Sequence, residues 1–236
     1  MRLSKILIPA ACLALVACGD DDNDKMTVEP PVITPPTTMT YEFMVTAVNL
    51  TQAQPMSPLG SALHTSGQFW QIGEMASEPL EVLAESGDNS GLLALDVVNA
   101  STSSDAVLMP GQKVELMLTS EMLESQKLSL ISMMVNTNDG FTGLNAIDVS
   151  SMSVGDMQYY KTFAYDAGTE ANSEAPGTIP GPADGGEGFN SAREEINKVA
   201  MHPGVVGQDD GLSTSVLSSL HKFDNPLLAV TVTRVK

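Results

Sequence analysis

Leu227-Leu228-Ala229-Val230-Thr231-Val232-Thr233-Arg234-Val235 is the stretch that decides the fold class. Leu228, Val230 and Val232 fall on one side and Thr231 and Thr233 on the other, which is the period of a half-buried β-strand and not of a helix. The same alternation recurs in Gln112 to Thr119, where Val114, Leu116 and Leu118 oppose Lys113 and Glu115. Tyr41 to Asn49 is a third strand, and Asp156 to Ala164 a further one. Lys127 to Asn136 sets Leu128 and Leu130 on one face and Ile131, Met133 and Val135 on the other. Thr51 to Gly67, rich in Pro, Gly and Ser, reads as a loop. A short helix opens at Ser77-Glu78-Pro79, with Ser77 as cap, Pro79 in the first turn and Gly87 as its end. Its buried stripe is Leu80, Leu83 and Ala84. Asp88-Asn89-Ser90 opens a second short helix that runs to about Val98. Asp166 to Asn190 is a long Gly/Pro-rich loop, and Asn190 caps a helix to about Val199. Strands outnumber helices, and connections are long. The expectation is an all-β antiparallel sandwich with short helical insertions.

The 236 residues carry a formal charge of −18. Such acidity repels phosphate backbones, so no nucleic-acid partner is expected. With 42% apolar residues but only one Trp, four Tyr and six Phe, the core must rest on Val, Leu, Ile, Ala and Met. The two cysteines, Cys12 and Cys18, both lie near the N-terminus, which leaves the folded part without a disulfide or a thiol nucleophile.

Arg2 and Lys5 precede an apolar run from Ile6 to Val16 that is too short to span a bilayer. The run ends in Leu15-Val16-Ala17-Cys18-Gly19, which resembles a lipobox. Residues 1–17 are read as a lipoprotein signal peptide and Cys18 as the lipidated mature N-terminus. Cleavage there removes Arg2 and Lys5 and takes the charge from −18 to −20. More than one acyl chain makes such an anchor stable. Gly19, where an Asp would signal retention, points to the outer membrane of the cell envelope. Residues 18–39, acidic and then rich in Pro and Thr, read as a tether, and residues 40–236 as the folded domain.

No G-x-S-x-G, H-E-x-x-H, P-loop or G-x-G-x-x-G occurs. His64, His202 and His221 lack ligand spacing. The carboxylates say more. Asp166-Ala167-Gly168-Thr169-Glu170 places two acids around a glycine directly after a strand, and Asn138-Asp139-Gly140 is a second acidic turn. Hard cations take carboxylate and carbonyl oxygens at such loop ends. Solvated loop acids fit the same spacing.

Asp166-Ala167-Gly168-Thr169-Glu170 also resembles the Asp-Ala-Gly-Thr-Asp motif of the spondin domain family, and Asp139-Gly140-Phe141-Thr142-Gly143-Leu144 its Asp-x-x-x-Gly-Leu stretch. Asn225 to Val232 is similar to the family's last strand. The likeness spans residues 40–236. It implies a C2-like eight-stranded antiparallel β-sandwich and one calcium held by Asp139, Asp166 and Glu170. This chain has Glu170 where the family has Asp, lacks the bracing cysteines of animal members, and adds a loop over Gly177 to Gly188. Animal spondins are matrix and adhesion proteins. A membrane-anchored binding or adhesion module for a protein or glycan ligand, without catalysis, is the expected function. The alternatives are an envelope hydrolase using His202 or His221 with a Ser and an acid, and a metal-free structural lipoprotein of the envelope.

Overall fold

A computed structural model describes residues 38–193 and 197–236, and Thr38–Lys236 forms one compact unit. The signal peptide, Cys18 and nearly all of the tether lie outside the described residues. Among the described residues, ten strands and two short α-helices follow in the order β1 Tyr41–Asn49, β2 Gly60–His64, α1 Glu78–Ser86, α2 Ser90–Leu93, β3 Val98–Ser103, β4 Lys113–Ser120, β5 Lys127–Met133, β6 Gly140–Asp148, β7 Met157–Lys161, β8 Ala164–Asp166, β9 Ala200–Met201 and β10 Leu228–Arg234. They build two antiparallel sheets, β4-β1-β10-β7 and β3-β2-β5-β6-β8-β9. The molecule is an all-β sandwich, as its alternating stretches require. The count exceeds the implied eight because β8 and β9, of three and two residues, extend the larger sheet at one edge.

The alternation in β1 and β10 becomes the inner face of the small sheet. Val45 stands opposite Val232 and Ala47 opposite Val230, all buried. With Phe43, Leu116 and Leu118 they meet Leu63, Leu128 and Leu130 of the other sheet in the main core. A second core lies on the far side of the large sheet, where Leu80, Leu83 and Ala84 of α1 pack with Trp70, Ile131 and Phe141. That is why Lys127 to Met133 has apolar residues on both faces: β5 is covered twice.

Several local expectations are corrected. The supposed loop Thr51 to Gly67 contains β2, fully buried between β3 and β5. β5 stops at Met133 because Val135–Thr137 turns back, with Thr137 N–H bonded to Met134 O at 3.0 Å. The second helix ends at Leu93, and the chain from Val98 is strand β3. Ser77 makes no side-chain cap bond; its carbonyl accepts Leu80 and Glu81 N–H at 2.9 Å instead. Gly87 does end α1, at φ 77°. β6 was not anticipated.

The single strand expected over Asp156 to Ala164 is two, because the chain changes sheets there. Thr162 N–H still bonds to Leu228 O at 3.1 Å, whereas Ala164 N–H turns to Asn225 Oδ1 at 2.8 Å and pairs with β6. The helix expected from Asn190 to Val199 falls partly on residues 194–196, outside the described residues. Its described residues are not helical, and Val199 pairs with the Gly73–Glu74 turn.

Candidate functional site

The change of sheet at 162–163 is what assembles the site. It places β8 beside β6, with Asp166 opposite Gly140. Asp139, just before Gly140, is thereby brought against the loop that follows Asp166.

That loop wraps the Asp139 carboxylate. Thr169 and Glu170 donate their backbone N–H groups to Asp139 Oδ2 at 2.8 and 3.1 Å, and Thr169 Oγ1 donates to the same oxygen at 3.3 Å. Ala167 N–H bonds to Asp139 O at 3.1 Å. Asp166 stiffens the loop from within: its Oδ1 accepts Gly168 N–H at 2.7 Å and its Oδ2 accepts Asn172 Nδ2 at 2.6 Å. Asn138 Nδ2 bonds to Ala171 O at 2.9 Å, tying the two segments again. Gly168 is required. It has φ +71°, and any Cβ there would collide with the Lys198 backbone.

Asp139 is fully buried, and its second oxygen, Oδ1, has no hydrogen-bond partner among the described residues. Burial, then the charge of Asp166, push its carboxyl up to about 7 against the pull of the two N–H donors. An unpartnered carboxylate oxygen in an apolar interior is costly unless a proton or a cation joins it.

The sequence-derived acids are divided. Asp139 and Asp166 face each other electrostatically. Glu170 contributes its backbone N–H to Asp139, and the residue lines a cleft of about 310 Å³ with Ser173, Thr178, Glu187 and Asn190. Among the described residues no three His, Cys, Asp or Glu side chains are grouped so as to hold a metal ion.

The sequence reading missed Glu85. This helix residue is buried, accepts Asn190 N–H at 2.8 Å and adds its charge to the field at Asp139. Burial raises its carboxyl, and its Oε1 has no hydrogen-bond partner among the described residues. It occupies the side of α1 that also carries buried Glu81, which pairs with Arg193. Two acids on the buried side of a helix, four residues apart, were the available signal.

His64 is buried, with its ring nitrogens 2.9 Å from Ser66 O and 2.9 Å from Ser129 Oγ. His202 Nδ1 accepts Gly204 N–H at 3.0 Å, which leaves the proton of the neutral ring on Nε2, a buried atom without a partner among the described residues. Burial lowers its pKa and Asp166 opposes that effect. His221 Nδ1 accepts Ser218 N–H at 3.1 Å.

No helix among the described residues is long and apolar enough to cross a membrane. No protein-family model matches the chain, and no curated protein matches it.

Proposed function

We propose that the chain is a spondin-type binding or adhesion module, stabilised by one calcium ion and held at the cell envelope through a lipid on Cys18. The observation that supports this reading is the unpartnered, fully buried Oδ1 of Asp139 beside a second carboxylate, Asp166. The donors at hand are oxygens, which suits a hard cation. Asp139 and Asp166 would hold the ion. Glu170, whose backbone is already fixed at Asp139, would join them through its side chain. The ion would neutralise the paired carboxylates and lock the β5–β6 turn to the 166–172 loop. The polar cleft beside it is the surface we assign to a protein or glycan ligand.

Calorimetric titration with calcium tests the site. One ion per chain is expected, lost in Asp166→Asn and bound roughly tenfold more weakly in Glu170→Gln, the loss of about one ligand's 1.4 kcal/mol. A Glu170→Gln titration identical to the parent would remove Glu170 from the ligand set. The anchor is tested separately. Cys18→Ser should abolish incorporation of a fatty-acid analogue in cells, because only the thiol accepts the lipid. Equal labelling of mutant and parent would refute it.

A further inference from the structure

β7 closes one side of the four-stranded sheet, and among the described elements its substantial contacts are with β10. The opposite edge strand, β4, is packed against β2 and β3 of the other sheet. The bonds that flank the β7–β10 ladder show which residues of β7 face outward. Arg234 N–H donates to Asp156 O at 3.1 Å, and Thr162 N–H donates to Leu228 O at 3.1 Å. Residues bonding to one neighbour alternate along an antiparallel strand. Gln158 and Tyr160, opposite Val232 and Val230, therefore bond to β10. Met157, Tyr159 and Lys161 turn their N–H and C=O groups away from the sheet.

Free edges are usually blunted by proline, bulges, charges or a covering segment. β7 has no proline and an unbroken register with β10, and its one charge is Lys161 at its end. It contains no acid, in a chain of net charge −18. Its outer side chains are open, Met157 at 55% and Tyr159 at 73% exposure.

We propose that β7 is the contact of a two-fold dimer, pairing antiparallel with β7 of a second copy about Tyr159. In that register Tyr159 meets its own counterpart, and Met157 of one copy meets Lys161 of the other. All three outward residues of each copy are then hydrogen-bonded, and the sheet continues through both molecules. The two lysines lie on opposite sides of the axis, about 13 Å apart along the strand. A slip that set lysine against lysine would be opposed by their like charge. A second copy is the occupant because the five residues are complementary to themselves. They also form an acid-free edge on which two strongly acidic bodies can meet without opposed carboxylates.

Disulfide trapping of the purified full chain in detergent tests the pairing. Hydrogen-bonded antiparallel partners have Cα atoms about 5.5 Å apart, within the span of a disulfide. Tyr159→Cys should give an interchain disulfide at least tenfold above Ser151→Cys, an exposed loop position that measures random collision. Lys161→Cys alone should stay at that background, and Met157→Cys combined with Lys161→Cys should restore the dimer. The parent, with only Cys12 and Cys18, sets the zero, and unchanged melting temperatures show intact folding. Tyr159→Cys at the collision level, or Lys161→Cys cross-linking as strongly as Tyr159→Cys, would overturn the proposal. So would trapping of β7 in cells only to a product of another mass.

Discussion

Removing calcium should lower the melting temperature of this domain by several degrees, and the effect of Asp139→Asn on stability at pH 8 should change sign between calcium and chelator. A ligand present at about 100 times its dissociation constant stabilises the state that binds it by roughly 3 kcal/mol. In chelator, the parent keeps a fully buried Asp139 beside Asp166 with no cation. Its carboxyl sits at about 7 in the folded chain against an ordinary 3.8. A raised carboxyl contributes stability that is complete below the unfolded value and disappears as pH rises through the folded one. The calcium-free parent should therefore lose up to about 4 kcal/mol between pH 4 and pH 8 from this group. Asp139→Asn cannot titrate, so its curve in chelator should be flatter and should lie above the parent's at pH 8. In calcium the order reverses, because the variant has lost the ion. Thermal melts at pH 5 and pH 8, each with calcium and with chelator, check both. A parent melt indifferent to chelator, with no calcium by elemental analysis, would remove the ion from the proposal.

Phe141→Ala should be among the most damaging single changes, at about 3–5 kcal/mol. Phe141 is fully buried. Its ring centroid lies 5.3 Å from Trp70, edge to face, and 5.4 Å from Tyr165, stacked. The pair Phe141–Tyr165 is the rung next to Gly140–Asp166. Losing the ring removes dispersion contacts from the second core and loosens the pairing that presents Asp166 to Asp139. Chemical denaturation should show the full cost, and calcium affinity should fall with it. A loss below about 1 kcal/mol would mean that the site is seated without this core, contrary to the cavity cost of a buried aromatic.

What was legible in the amino-acid order was whatever a short range determines. Alternation in Tyr41–Asn49, Lys113–Ser120 and Leu228–Arg234 reports one buried face, because a strand between core and solvent must alternate. Gly87 and Gly168 could be read as chain-turning positions, and both adopt positive φ. The acids Asp139 and Asp166 were legible because each follows or precedes a strand at a glycine turn. Other features depended on partners distant in the chain. β2 hid inside a Pro/Gly/Ser-rich segment because burial between β3 and β5 decides it as a strand. The break at 162–163 arises from competition between β10 and β6 for the same chain, which no local pattern records. Glu85 reaches the site only because α1 packs on the large sheet. Three-dimensional placement buries Glu85 and brings its charge to bear on Asp139, which the amino-acid order did not announce. Side-chain period and turn chemistry are written locally, and so the sequence by itself determined a β-sandwich with acidic turns. Which carboxylates are driven into a dry interior follows from packing between segments far apart in the chain, and only the tertiary structure decided that.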